Sequence, residues 1–91
     1  MKKQATALLA QKLKALSNEN RLKVLYIIKD KELSVGEIEK SLNLSQSALS
    51  QHLAVLRNYD IVKTRRNAQT IFYQLKDDKI RMIIEFLAKL Y

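Results

Sequence analysis

The chain has 91 residues, with 17 Lys and Arg against 9 Asp and Glu and a formal net charge of +8. That length makes one domain, spanning 1–91, too small to be secure as a monomer without a further buried surface, and the charge favours a polyanionic partner. Cysteine and proline are absent and Gly36 is the only glycine, which excludes a disulfide framework and a thiolate nucleophile, while the lack of a long apolar run excludes a membrane-spanning helix.

The N-terminus carries no secretory signal, so a cytoplasmic, nucleoid-associated location is the expectation. Residues 5–16 form a one-sided helix with Ala5, Leu8, Leu9, Leu13 and Leu16 on its apolar stripe. Lys12 and Lys14 lie nearby, but the Trp and Phe anchors of a membrane-surface helix are missing, so no membrane partner is expected. Asn18 can cap a second helix. Its Leu22, Val24, Leu25, Tyr26, Ile27 and Ile28 point in nearly every direction, which predicts a buried central helix ending near residues 29–31.

Residues 34–56 carry the organising motif. Ser34 and Glu37 have the spacing of a capping box, and Val35, Ile38 and Leu42 make the apolar face of a short helix that stops near Asn43. Leu44 is expected in the turn, and Ser45 is placed to cap the next helix. On that helix Ala48, Leu49, Leu53, Val55 and Leu56 share one face, while Gln46, Ser47, Ser50, Gln51 and Ala54 share the other. The outer face is uncharged until Arg57. Acidic groups there would be repelled by phosphates and lysines would read charge alone, whereas Gln and Ser donate and accept at base edges in the major groove. A plain solvated helix face is the alternative.

Asn58 or Asp60 must take the left-handed turn after this helix. Residues 61–64 and 70–75 read as two strands joined by Arg65-Arg66-Asn67-Ala68-Gln69, with Asn67 expected in the left-handed conformation. Lys63, Arg65, Arg66 and Lys76 occur without an acidic residue between 61 and 76, so the hairpin is a basic wing suited to phosphates or to the minor groove. Asp77 and Asp78 open the last helix. Its Ile80, Met82, Ile83, Ile84, Phe86, Leu87, Leu90 and Tyr91 cover more than one face, and the excess is expected to bury against a second copy of the chain.

His52, the only histidine, falls on the core side of its helix and is expected to be a structural histidine, hydrogen-bonded inside the core. With one His and no Cys, a transition-metal site is not expected, and no cofactor is implied. The serines lie opposite that histidine and no glycine-rich phosphate loop exists, so no catalytic constellation forms and no enzyme is expected.

The runs L-S-N-E-N-R-L-K-V-L, L-S-Q-S-A-L-S-Q-H-L-A-V-L-R and I-V-K-T-R-R-N-A-Q-T-I-F-Y-Q-L, with the closing apolar helix, resemble the ArsR/SmtB winged-helix transcriptional regulators over nearly the whole chain. Within them the resemblance is greatest to the HlyU branch, near the persulfide-sensing BigR and SqrR. It implies that the first helix joins the dimer interface, placing Leu8 and Leu9 there with Ile83, Ile84, Leu87 and Leu90 of the last helix. A histidine at the place of His52 is common to that motif. The family's metal ligands find no counterpart in S-V-G-E-I-E-K or in the last helix. Its persulfide sensors use a second-helix cysteine where this chain has Tyr26, and the chain stops at Tyr91, about where the partner cysteine would lie.

These observations predict a mainly α fold with a small β-hairpin, a winged helix-turn-helix acting as a homodimer on an inverted repeat in double-stranded operator DNA. Ser45, Gln46, Ser47, Ser50 and Gln51 are the candidates on the recognition helix, and Arg57, Arg65, Arg66 and Gln69 those toward the backbone and wing. The residues identify no inducer and do not separate repressor from activator. A protein-interaction winged helix and a nonspecific nucleoid-type DNA-binding protein are the alternatives.

Overall fold

The computed structural model describes residues 1–91. Its elements run α1 (Lys3–Leu16), α2 (Glu19–Ile28), β1 (Leu33–Ser34), α3 (Val35–Leu42), α4 (Gln46–Asn58), β2 (Val62–Asn67), β3 (Thr70–Leu75) and α5 (Asp78–Leu90). This is the winged helix-turn-helix expected from sequence, with one strand more. β1 pairs antiparallel with β3, Leu33 opposite Tyr73 and Ser34 opposite Phe72, giving the sheet order β1-β3-β2. Two residues are too few to show the alternation by which a strand is recognised.

The caps form as their spacings require. Asn18 accepts the amides of Asn20 and Arg21 at 2.9 and 3.1 Å. Ser34 Oγ accepts the Glu37 amide at 3.1 Å while Glu37 accepts the Ser34 amide at 2.9 Å, satisfying two otherwise unpaired donors. Asp77 Oδ1 takes the amides of Lys79 and Ile80, and its other oxygen accepts from Lys12, fastening α1 to the start of α5.

The core collects Val24, Leu25 and Ile28 from α2, Ile38 from α3, Leu49, Leu53 and Leu56 from α4, Ile61 before β2, Leu33, Val62, Tyr73 and Leu75 from the sheet, and Ile80 and Ile84 from α5. The second helix is not buried all round as expected. Leu22 and Tyr26 are 40% and 53% exposed, because on their side the end of α5 leaves an open hollow, lined by Leu87 and Tyr91, rather than a packed layer. The stripe of α1 is likewise only partly used: Ala15 and Leu16 are buried, whereas Leu8 and Leu13 face outward.

Three residues other than glycine adopt left-handed backbone: Asn43, Asp60 and Ala68. Asn43 ends α3 at φ 52°, and Asp60 rather than Asn58 makes the turn after α4. At the wing the expectation of Asn67 is corrected. Asn67 pairs with Thr70 at the end of the ladder, leaving Ala68 and Gln69 as a two-residue connection, and the turn there takes positive φ at its first residue, Ala68.

His52 also sits differently from its expectation. It is half-buried, with Nδ1 3.5 Å from Arg21 Nη1, because α2 covers that side of α4 with an arginine rather than an apolar group. Partial burial, then the Arg21 charge, pushes the imidazole pKa below its ordinary value of 6.5.

Since the unfolded chain protonates His52 first, the contribution of this residue to stability is fully present above about pH 6.5 and declines as the pH falls through the lower folded value. Urea unfolding should show lower stability at about pH 5 than at about pH 7.5, and His52→Gln should shrink the difference; an undiminished difference would assign it to other groups. Ala68→Gly should raise stability by roughly 0.5–1 kcal/mol, since removing Cβ relieves a left-handed cost that outweighs the added freedom of the unfolded chain.

Candidate nucleic-acid interface

The candidate surface begins at the turn between α3 and α4. Left-handed Asn43 donates its amide to the Glu39 carbonyl, Leu44 is half-buried, and Ser45 Oγ accepts the Ala48 amide at 3.1 Å to start α4. Leu49 and Leu56 are wholly buried and Leu53 nearly so. A helix pinned on that side presents Gln46, Ser47, Ser50 and Gln51 to solvent, and all four are exposed.

The four split between two directions. Gln46 and Ser50 line, with Leu53 and Arg57, a groove of about 570 Å³ whose other wall is Gln69, Thr70, Ile71 and Tyr73 of the wing. Ser47 and Gln51 lie off that line, on the outward side of α4. Arg57 ties the two walls together: its Nη1 donates to the hydroxyl of buried Tyr73, with the guanidinium carbon 5.9 Å from the ring centre. Tyr73 reads from the sequence only as an aromatic strand residue. The pairing that gives it a role crosses 16 residues.

Charge on the wing is not all free. Lys76 pairs with Asp60 at 2.7 Å. Arg65 pairs with Glu32, its Nη2 2.7 Å from Oε1 and its Nε 3.0 Å from Oε2. Those hydrogen bonds hold the Glu32 carboxyl below, and the Arg65 guanidinium above, their ordinary pKa values. The stretch 61–76 lacks an acidic residue of its own, but the tertiary fold supplies one from upstream. Arg66 and Lys63 are exposed and form no ion pair, and Gln69 is exposed at the turn.

The residues expected at a dimer interface fall into two groups. Leu8, Leu87 and Leu90 are exposed, and Leu9 and Ile83 are half-buried. Ile84 is only 6% exposed and belongs to the subunit's own core, because it faces α2 on the inner side of α5. Leu13, Met82 and Phe86 are exposed apolar residues on the same two helices. Tyr26 and Tyr91 line one apolar hollow with Leu22, Leu42 and Leu87. No three His, Asp or Glu side chains converge on a point that could hold a metal, and no helix is long and apolar enough to cross a membrane.

Comparison with known proteins agrees with this architecture. The transcriptional activator HlyU of Vibrio cholerae is 54% identical over 79 residues, covering 87% of this chain and 73% of that protein. A biofilm growth-associated repressor of Agrobacterium fabrum is 44% identical over 91 residues, covering 100% and 77%. The solved structure of HlyU from Vibrio cholerae superposes with a TM-score of 0.94 at 50% identity, covering 100% of this chain and 98% of that one. The family model described as bacterial regulatory protein, arsR family, matches residues 18–64. Together with the helix-turn-helix and wing they enclose, these matches show that the chain belongs to the arsR family of bacterial regulatory proteins.

Proposed function

We propose that the chain acts as a homodimeric, sequence-specific transcription regulator, each subunit laying α4 in the major groove of one half of an inverted repeat. The observation that carries this reading is the outer face of α4: Gln46, Ser47, Ser50 and Gln51, uncharged and exposed on a helix whose opposite face is locked in the core. Such side chains discriminate bases by paired donor and acceptor contacts, while the wing supplies phosphate contacts that fix position. Ser45 and Gln46 at the start of α4 lie where a recognition helix meets base edges; Arg57 and Gln69 line the groove toward the wing, and Arg66 sits across the ladder from Ile71 of that wall. Arg65 differs from Arg66 in that Glu32 already matches its charge.

Only 16 of the 91 residues are buried, while Leu8, Leu13, Met82, Phe86 and Leu90 leave apolar surface on α1 and α5. A second copy covering that surface would enlarge a core that is small for independent stability and would set two recognition helices about one turn of DNA, roughly 10 bp, apart or a multiple of it. Such a dimer works where its DNA lies, in the cytoplasm. The relatives HlyU and the biofilm growth-associated repressor are transcription regulators rather than enzymes, one an activator and the other a repressor; one surface serves either sign of control.

Fluorescence anisotropy on the protein's own promoter region against a shuffled duplex, at two salt concentrations, tests the reading. Preference for the promoter that persists at higher salt is expected; equal, salt-sensitive binding to both would make the protein architectural, and binding to neither would leave protein interaction. Gln51→Ala should cost about 1–3 kcal/mol on the specific site and leave binding to shuffled DNA nearly unchanged, whereas Arg66→Ala should weaken both and reduce the salt slope by about 1. Equal losses on both duplexes for Gln51→Ala would remove it from base reading. Phe86→Glu should convert the dimer to monomers in sedimentation; an unchanged mass would exclude the exposed face of α5 from the interface.

A further inference from the structure

The contacts of Arg65 do more than neutralise a charge. In the register of the sheet, Arg65 lies opposite Phe72 and Phe72 opposite Ser34, so the three share one face. On that face the guanidinium carbon rests 4.4 Å from the centre of the Phe72 ring. Beyond the ring it meets Glu32 in a two-pronged pair, Nε at 3.0 Å from one carboxylate oxygen and Nη2 at 2.7 Å from the other. The side chain thus starts on edge strand β2, crosses β3, and ends at the residue before β1. From there the chain passes through Leu33 into the Ser34 capping box that starts α3. Arg66, the next residue, pairs with Ile71 across the ladder and lies on the opposite face, the one that carries Tyr73 and its bond to Arg57.

We propose that Glu32 is a positioning residue: with Arg65 and Phe72 it clasps the wing to the start of the helix-turn-helix, and Arg66 rather than Arg65 is the arginine through which the wing meets phosphate. The assignment rests on the DNA-binding reading of α4 and the wing. A carboxylate held by both prongs of a guanidinium uses the donor geometry that a phosphate would need, so a phosphate at Arg65 would have to displace Glu32. Stacking on Phe72 further holds Arg65 flat across the sheet rather than outward. Arg66 has neither restraint. The hairpin otherwise joins the body through the burial of Val62, Tyr73 and Leu75 in the core, the two residue pairs of β1 with β3, the contact of Arg57 with Tyr73 and the pairing of Lys76 with Asp60. The clasp adds a tie on the other face of the sheet, opposite the one that packs on the core, and with those contacts it fixes the angle between wing and recognition helix.

The test uses the whole chain and four variants: Glu32→Ala, Arg65→Gln, the charge exchange Glu32→Arg with Arg65→Glu, and Arg66→Gln, each checked for folding by circular dichroism. Two quantities are read, amide hydrogen exchange in β2 and β3 of the free protein, and affinity and salt slope on promoter DNA. Glu32→Ala and Arg65→Gln should each accelerate exchange in the hairpin and weaken specific binding by about two- to fivefold, the range of an exposed ion pair, without changing the salt slope. The charge exchange should restore both to near the parent values. Arg66→Gln alone should lower the slope by about 1. Tighter binding in Glu32→Ala, with a lower slope in Arg65→Gln, would overturn the proposal by making Arg65 a phosphate ligand that Glu32 merely occupies. Unchanged exchange in Glu32→Ala would overturn the clasp whatever the DNA result. Should the parent protein bind no DNA, the DNA-binding reading and the role of Arg66 fail, while hydrogen exchange still decides whether the clasp exists.

Discussion

The structure depends on the burial of one side of α4. Leu49, Leu53 and Leu56 lie in the core with Val24, Leu25, Ile28 and Ile38, and full burial of a leucine contributes about 1.5–3 kcal/mol. This is ordinary packing, but it has a directional consequence. A helix held by positions spaced at three and four residues cannot rotate, so the residues on the face opposite the leucines point outward. Gln46, Ser47, Ser50 and Gln51 owe their common exposure to leucines they do not touch. The polar face needs no structural partners, which leaves its hydrogen-bonding groups available to a ligand.

The wing is oriented by backbone geometry in a chain with almost no glycine. Asn43, Asp60 and Ala68 adopt positive φ where the path turns: between α3 and α4, between α4 and β2, and at the wing tip. Asn and Asp tolerate this region better than other residues with a Cβ, whereas alanine has no side-chain hydrogen bond to favour it. The least favourable of the three conformations therefore falls at the tip of the wing, the part of the hairpin farthest from the core.

The net charge of +8 is displayed unevenly. Lys12, Arg65 and Lys76 are engaged by Asp77, Glu32 and Asp60, and Arg57 is engaged by the Tyr73 hydroxyl. Several cations that look equivalent in the chain thus hold elements together, leaving Lys63 and Arg66 as the wing cations without an ion pair. The apolar surface is divided in the same way. Ile80 and Ile84 complete the core from α5, while Met82, Phe86 and Leu90 on that helix stay exposed.

Much of this was legible in the sequence because the interactions concerned are local. A cap joins residues two or three apart, so Asn18, Ser34 and Ser45 could be read from spacing alone, while Asp77 was legible only as an acidic residue at the head of the last helix. The helical period sorted the inner and outer faces of α4 for the same reason, and the basic hairpin emerged from two β-rich runs. The rest was decided by contacts between distant segments. Strand β1 is too short to carry a pattern and exists because β3 lies beside it. The left-handed residue of the wing is Ala68 rather than Asn67 because pairing across the ladder sets which two residues remain for the turn. Leu22 and Tyr26 are exposed, and Ile84 buried, according to which faces the other elements reach. The pairing of Arg65 joins residues 33 apart, and no local signal marks it. The sequence by itself determined which helices and hairpin form, through short-range caps and periodicity; only the tertiary structure decided which charges and apolar faces remain unpaired, because that depends on what packing brings beside them.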